Sequence, residues 1–303
     1  GRSTDRVDVG VKLLFENAEL LDPEQPEPVP SGLLVDDGRI VDRLAPGQAP
    51  GDARRIDLRG CALAPGFVDL HFHGELIFAS PRALPQAFLR TREALVREGT
   101  TAFLATSVAW PHQALGGFVR QLAQLTEAAE GNGARAIGIH LEGPWINPAA
   151  AGAQPPGAIR AYRPEELADL LARAEGLIRL VTLAPEVEGR DALLSALAHA
   201  NVVAALGHSL AGPAEVDAAV SAGLRHVTHL FNAMGSTRHR EPTEGDAYGE
   251  DELAGRLLHD DRVSCDLICD GVHVHPSVVA MAARAKRERL MLITDRVQLP
   301  ETG

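Results

Sequence analysis

The chain has 303 residues, of which 45% are hydrophobic and 23% are charged, a composition that is ordinary for a globular protein and argues against disorder, collagen and coiled coil. Its formal net charge of −12 at pH 7 argues against nucleic acid or an anionic membrane as the main partner, because both require a basic surface. The net charge does not exclude a small anionic substrate, because binding one needs only a local basic cluster.

The lack of a recognisable targeting signal and the cysteine usage together predict a reducing compartment. No apolar run reaches the roughly 18 residues of a membrane span, and the start of the chain lacks the apolar core of a signal peptide. The cysteines Cys61, Cys265 and Cys269 are too few and too unevenly spaced for a disulfide framework. We therefore expect a cytoplasmic protein whose cysteines are small, buried core residues.

Residues 1–60 predict a small β-rich domain. Short apolar stretches are separated by prolines and by Asp37-Gly38, and an Asp-Gly pair between two apolar runs is a strong hairpin signal. The apolar stretches are Val11–Phe15, Leu33–Val35 and Arg39–Leu44.

From Cys61 onwards, apolar strands alternate with amphipathic helices. The predicted strands are Ala62–Leu70, Thr101–Val108, Ala136–Leu141, Ile178–Leu183, Val202–Leu206, His226–Leu230, Arg262–Cys269 and Leu290–Thr294. The predicted helices are Leu84–Glu98, part of His112–Ala129, a helix that begins after Pro164, Asp191–Ala200, Pro213–Ala222 and Pro276–Arg289. The Gly-, Pro- and Ala-rich stretch Gly143–Gly157 and the polar stretch Gly235–Asp251 predict long loops.

This alternation predicts a parallel sheet that is buried on both faces. Eight strand and helix units favour an α/β fold, a (β/α)8 barrel of the TIM type over residues 61–303, with a doubly wound open sheet as the alternative. No Gly-x-Gly-x-x-Gly motif opens a helix after the first strand, so a dinucleotide site has no support.

Histidines and carboxylates lie at the carboxyl ends of the predicted strands, which in a barrel all face one mouth. His71 and His73 are two apart in one strand, so both side chains point to the same side. Imidazole and carboxylate ligands suit one or two divalent ions, with Zn expected and Fe, Mn or Co as alternatives. The candidate ligands are His71, His73, Glu142, His208, His229 and Asp295. A hydrogen-bonded structural role is the alternative for any single histidine, but chance explains five such strand ends poorly.

Three further groups of polar residues have open roles. Asp295 could accept a proton from a water that the metal activates and deliver it to a leaving group. An arginine in the loop around Arg240 suits phosphate or carboxylate, or is a solvated surface charge. For His140 and His226 the sequence does not decide between two roles. Each could be a structural residue, or could support a metal ligand without binding the metal itself.

Several motifs together resemble the N-acetylglucosamine-6-phosphate deacetylases of the amidohydrolase superfamily. They follow the family's order over nearly the whole chain, and the Glu-Gly-Pro and His-Leu-Phe-Asn-Ala-Met segments are more specific than His-x-His, which marks only the superfamily. The matching stretches are Pro65–Gly74, His140–Asn147, Gly207–Ser209, Thr228–Met234, Arg240–Pro242, Asp270–Val274 and Thr294-Asp295.

The resemblance implies a barrel with a small β-sandwich that the N-terminal segment forms. It also implies metal-dependent hydrolysis of the N-acetyl amide of N-acetylglucosamine-6-phosphate to glucosamine-6-phosphate and acetate. Glu142, His208 and His229 would hold the principal metal, His71 and His73 a second ion, and Asp295 would be the acid and base. The implied substrate-binding residues are Ala153, Gln154, Asn232, Ala233, Arg240, Asp270, Gly271 and His273. In relatives the arginine reaches the neighbouring subunit's site, which implies a homodimer.

The chain departs from this family pattern near the site. Gln154 stands where the family commonly has a histidine that is thought to polarise the acetyl carbonyl, and a glutamine donates a hydrogen bond but carries no charge. Arg296 follows Asp295 where the family has small residues, so we expect an altered pocket. Because of these departures, two alternatives remain. The substrate could be another N-acyl sugar or an N-acyl amino acid, or the barrel could bind sugar or metal without turnover. The chain ends shortly after Asp295, and we expect the barrel's C-terminal end to be incomplete.

Overall fold

The computed structural model describes residues 12–25, 27–129, 131, 133–235 and 252–297. The chain divides between Phe67 and Val68 into two compact units. Within the described ranges, no helix combines the length and the apolarity that crossing a membrane requires.

The described part of the first unit forms one five-stranded sheet. Its strands are β1 (Leu13–Leu20), β2 (Val29–Asp36), β3 (Arg39–Leu44), β4 (Arg54–Asp57) and β5 (Ala62–Leu63). They lie in the order β3-β2-β1-β4, with β5 also paired to β1. The hairpin between β2 and β3 is confirmed: Asp37 and Gly38 have φ values of +47° and +71°, the positive pair that a type I′ turn requires. A β-sandwich needs two packed sheets, and the described residues of this unit supply one.

The second unit contains the predicted barrel of eight parallel strands, in sequential order. They are β6 (Phe67–Phe72), β7 (Thr100–Thr106), β8 (Arg135–Glu142), β9 (Ile178–Leu183), β10 (Val203–Leu206), β11 (His226–Val227), β12 (Ser264–Ile268) and β13 (Leu290–Ile293). The backbone N–H of Asp295 donates to His71 O at 2.9 Å, and that of Gly74 donates to Arg296 O at 2.9 Å. These bonds join the last strand to the first at the carboxyl end.

Seven helices surround these strands in the described chain: α1 (Leu84–Arg97), α2 (His112–Glu127), α3 (Pro164–Ala174), α4 (Arg190–His199), α5 (Pro213–Ser221), α6 (Glu252–His259) and α7 (Pro276–Lys286). Their apolar residues recur at helical spacing and face the core, as Leu115, Val119 and Leu122 of α2 do. Helix α6 was not predicted from the sequence, although Leu253 and Leu257 have the same spacing and are buried.

Strand β8 has an irregular register that decides which residues face the barrel interior. Phe103 pairs with Ala136 and Leu104 pairs with Gly138, so Ile137 is an extra residue on β8. An extra residue of this kind is a β-bulge, and it changes the alternation of side chains beyond it.

Two expectations need correction. Strand β11 ends at Val227 rather than Leu230, because His229 adopts a φ of +33°, outside the β region. Cys265 is buried, but Cys61 and Cys269 are exposed. They flank strands rather than face the core, since Cys61 precedes β5 and Cys269 follows β12. All three cysteines are free thiols.

Candidate metal centre

The six side chains predicted to bind metal gather at the carboxyl end of the barrel, around Glu142, the last residue of β8. Oε1 of Glu142 lies 2.9 Å from Nε2 of both His208 and His229, and these two nitrogens are 3.1 Å apart. Ligands of a tetrahedral ion with bonds of about 2.0 Å are separated by about 3.3 Å. The three atoms are therefore spaced to share one cation.

A second group lies at the other oxygen of Glu142. Oδ1 of Asp295 is 3.2 Å from Nε2 of both His71 and His73. Nε2 of His73 is also 3.2 Å from Oε2 of Glu142. His71, His73 and Asp295 thus form a group in which a cation could bind, and Glu142 connects it to the first group.

Backbone carbonyls orient three of the four imidazoles, a feature that sequence analysis did not find. The Nδ1 atoms of His73, His208 and His229 bond to the carbonyl oxygens of Thr106, Ala150 and Asn232, at 3.2, 3.0 and 3.1 Å. A carbonyl oxygen only accepts, so each Nδ1 carries a proton and each neutral ring presents the lone pair of Nε2 to the centre. Lone pairs that converge on a carboxylate need a cation among them, so the residues present fit a divalent metal. His71 differs, because its buried Nδ1 has no hydrogen-bond partner among the described residues.

Burial and pairing compete in the electrostatics of the centre. Burial opposes the imidazolium form, but bonds to Asp295 and Glu142 outweigh it and raise the pKa of His73 to about 10. The same opposition, with Glu142 as the main partner, raises the pKa of His229 to about 9. Burial also opposes ionisation of the two carboxyls, yet the surrounding imidazoles, His71 foremost, hold the pKa of Glu142 and Asp295 below its usual range. Protons thus occupy the metal-free centre where a metal would bind.

Two buried carboxylates outside the predicted set hold the ligands in place. Asp69 accepts the hydroxyl proton of Thr294 at 2.6 Å and the backbone N–H of His71 at 3.1 Å. Burial raises its pKa in spite of those bonds. Asp266 accepts the backbone N–H of His229. The available signal was a carboxylate inside an apolar strand, which is rare unless it is paired.

The structure settles the surroundings of the two histidines left open by the sequence. His226 bonds through Nε2 to Asp266 at 3.0 Å, behind His229. His140 packs edge-on against His71, with ring centroids 4.6 Å apart, and bonds to Thr182 at 2.7 Å. Burial, with the charge of His71, holds the pKa of His140 well below its usual value. Both rings lie outside the group of converging ligand atoms.

The predicted substrate-binding residues near the centre lie on two loops. Asn232 and Ala233 follow His229, and Nδ2 of Asn232 is buried without a hydrogen-bond partner in the described ranges. Ala153 is exposed beside Gly152, which approaches the centre closely. A Cβ at Gly152 would lie 3.3 Å from Cβ of Ala233 and 3.4 Å from Cε1 of His208.

The remaining predicted substrate-binding residues lie farther along the chain. Asp270, Gly271 and His273 follow β12, and Asp270 accepts the backbone N–H groups of His273 and Val272 at 2.9 and 2.8 Å. Those bonds hold the pKa of the exposed Asp270 carboxyl at about 2. The other predicted residue of this set, Arg240, lies outside the described residues.

Arg296 is paired away from Asp295. Its guanidinium makes two hydrogen bonds to Glu98, at 3.1 and 2.7 Å, and lies over the ring of Phe72, 5.6 Å from its centroid. Its charge is therefore directed to Glu98 rather than to the candidate acid and base.

Known proteins share this sequence pattern. The Amidohydrolase family profile matches residues 62–302. The N-acetylglucosamine-6-phosphate deacetylase of Bacillus subtilis (strain 168) is 36% identical over 254 residues, which are 83% of this chain and 60% of that protein. The N-acetylgalactosamine-6-phosphate deacetylase of Escherichia coli O157:H7 is 34% identical over 240 residues, 78% of this chain and 60% of that protein. The chain thus spans less than two thirds of the length of these relatives.

Solved structures share the fold. The N-acetyl-D-glucosamine-6-phosphate deacetylase from Mycobacterium smegmatis matches with a TM-score of 0.77 at 33% identity, over 96% of this chain and 73% of that one. A mutant of that enzyme in complex with N-acetyl-D-glucosamine-6-phosphate gives a TM-score of 0.76 at 34% identity, over 95% and 72% of the two chains. On the profile match and these identities, the chain belongs to the amidohydrolase family.

Proposed function

We infer that this chain is a metal-dependent deacetylase that hydrolyses the N-acetyl amide of N-acetylglucosamine-6-phosphate. The observation that carries this proposal is the position of Glu142, which has a pair of imidazoles at Oε1 and the Asp295 group at Oε2. A candidate ion site and a candidate proton acceptor thereby lie side by side. The names of the relatives supply the substrate class.

The proposed ligands of the principal ion are Glu142, His208 and His229. His71, His73 and Asp295 would take a second ion. A borderline-hard set of imidazoles and carboxylates suits Zn²⁺, with Fe, Mn or Co as alternatives. When bound, a divalent cation supplies Lewis-acid chemistry, which polarises the amide carbonyl and lowers the pKa of water.

Asp295 moves the proton in this proposal. Its side chain is 22% exposed, so it meets both the buried ligands and an incoming substrate. Its lowered pKa keeps it a carboxylate at neutral pH, ready to accept a proton from the attacking water. The same proton then goes to the amide nitrogen as the C–N bond breaks. One water is consumed, a C–O bond forms, and acetate and glucosamine-6-phosphate leave.

In this proposal, the two loops beside the centre and the segment after β12 orient the substrate. The buried, unpartnered Nδ2 of Asn232 suits a sugar or acetyl oxygen. Ala153, Ala233, Asp270, Gly271 and His273 complete the proposed set, with Arg240 as the phosphate ligand. We also propose a cytoplasmic homodimer in which Arg240 serves the neighbouring subunit's site.

Acetate release from a substrate panel tests the proposal. The panel contains N-acetylglucosamine-6-phosphate, N-acetylgalactosamine-6-phosphate and unphosphorylated N-acetylglucosamine. We expect turnover of the first, loss of it on metal removal, and about 10²–10⁴-fold lower kcat in Asp295→Asn. Equal rates in the wild type and Asp295→Asn would contradict the role of Asp295. A preference for the galactose epimer would instead favour deacetylation of another N-acyl sugar, N-acetylgalactosamine-6-phosphate, after which the relative from E. coli O157:H7 is named.

A further inference from the structure

Gln154 is buried and connects the loop after β7 to the central carboxylate. Its Oε1 accepts the backbone N–H of Ala109 at 2.7 Å, and its Nε2 donates to Oε2 of Glu142. A backbone N–H only donates, so the atom that faces Ala109 must be the amide oxygen. The amide nitrogen is thereby directed at Glu142, and the orientation of the side chain follows from chemistry alone.

This bond gives the two carboxylate oxygens of Glu142 different partners: Oε2 accepts from Gln154, and Oε1 faces His208 and His229. The terminal torsion of a glutamate is soft, so the carboxylate plane is free to rotate unless its oxygens are held. With an N–H of Gln154 on Oε2, the plane is fixed and Oε1 is presented to His208 and His229.

The segment that carries Gln154 is itself held at several points. The backbone N–H of Arg160 donates to Pro144 O at 3.2 Å, and its guanidinium donates to Trp110 O at 2.8 Å. Ala150 O, on the same segment, accepts from Nδ1 of His208 at 3.0 Å. One segment therefore orients two members of the candidate metal centre, one through a carbonyl and one through an amide.

We propose that Gln154 is a positioning residue that fixes the carboxylate plane of Glu142 and thereby sets the affinity of the centre for its metal. The inference rests on the proposed function, since it concerns the same ion. It differs from the substrate-binding role that the family resemblance implies for this position. Groups that orient metal ligands typically contribute 10–100-fold to metal affinity.

The test measures Zn²⁺ affinity of the metal-free protein by competition with a chelator, without substrate. Gln154→Met keeps the side-chain length and loses both hydrogen bonds, and we expect about 10–100-fold weaker binding. Gln154→Asn keeps the amide but is one carbon too short to reach both Ala109 and Glu142, and we expect at least a threefold loss. The control is Gln121→Met on α2, whose amide donates to Pro81 O at 2.7 Å, and it should bind Zn²⁺ as the wild type does.

Two readouts separate positioning from loop support. In a positioning role, the visible spectrum of the Co²⁺-loaded variant changes, and Zn²⁺ affinity falls at a temperature where the metal-free variant is still fully folded. Affinity within threefold of wild type in Gln154→Met, or in Gln154→Asn if the first variant does not fold, would overturn the proposal. Weaker Zn²⁺ binding together with a wild-type Co²⁺ spectrum would indicate loop support alone and would overturn it too. Because no substrate is present, failure of the deacetylase assay leaves this result unaffected.

Discussion

Thr294 donates its hydroxyl proton to Asp69 at 2.6 Å, and this bond joins the last strand of the barrel to the first. Asp69 precedes His71 by two residues, and Thr294 directly precedes Asp295. Asp69 also accepts the backbone N–H of His71. Closure of the barrel and placement of one half of the candidate centre are therefore the same set of contacts.

Thr294→Val should destabilise the protein because it leaves the buried carboxylate of Asp69 one hydrogen bond short. We expect a loss of about 1–3 kcal/mol in the free energy of unfolding, the cost of a buried group without its partner. Urea unfolding at constant m-value measures it, with Thr126→Val on α2 as the control. A change no larger than that of the control would show that the bond is dispensable.

Metal binding should release protons, because His73 and His229 have pKa values of about 10 and about 9 in the metal-free protein. Both imidazoles are charged at pH 7.5, and each must lose a proton before Nε2 can bind a metal. Affinity therefore rises with pH, by up to tenfold per released proton and pH unit, until the pH passes these pKa values.

Calorimetry of Zn²⁺ binding in two buffers with different ionisation enthalpies counts the protons. His229→Asn should release fewer protons than the wild type. An apparent enthalpy that does not depend on the buffer would be inconsistent with the raised pKa values.

The same pKa values affect the stability of the metal-free protein. A histidine whose pKa is raised on folding stabilises the fold fully below its ordinary value of about 6.5, and this contribution is lost as pH rises through the folded value. We expect the metal-free protein to lose stability between about pH 6.5 and 10, measured by urea unfolding across that range. Saturating Zn²⁺ should flatten this dependence, since the metal replaces the protons.

Glu142→Gln should remove more metal affinity than any change at Gln154. The substitution keeps the volume but removes the charge that both groups of imidazoles face. We expect at least a 100-fold loss of Zn²⁺ affinity, more than an orienting group contributes. Metal content after dialysis checks it, and a variant that retains one tightly bound ion would contradict the central place of Glu142.

Gly152→Ala should disturb His208. Gly152 has a φ of +56°, which costs other residues about 1–2 kcal/mol, and a Cβ there would press on Ala233 and His208. We expect that loss of stability together with weaker Zn²⁺ binding. Gly176→Ala is the matched control, because Gly176 also has a positive φ, of +83°, and a Cβ there meets no atom within 4 Å. Equal effects of the two substitutions would argue against the close approach.

The barrel could be predicted because its signal is repeated along the chain. Alternating apolar strands and helices fix a parallel topology, and that topology places every strand end at one mouth. Residues such as Glu142 and His208, 66 positions apart, could therefore be grouped before any coordinates.

What the sequence could not predict depends on backbone atoms and on distant pairs. The carbonyl of Ala150 orients His208, but any residue type would offer the same oxygen. Gln154 and Ala109 are 45 positions apart and share no pattern. Helix α6 is a single short element whose few leucines could not be distinguished from a strand or a loop.

The extra residue at Ile137 has a consequence for redesign. Ala136 pairs with Phe103 and Gly138 pairs with Leu104, so strict alternation counted from Ala136 gives the wrong face for every residue beyond the bulge. Counted in that way, Glu142 would share the face of Ala136, whereas in the structure it lies at the candidate metal centre. Deleting Ile137 would leave Gly138 opposite Leu104 and would not change the face of Glu142. Anyone who transplants this ligand set into an idealised barrel must therefore count the position of Glu142 from the pair of Leu104 and Gly138 rather than from the start of β8.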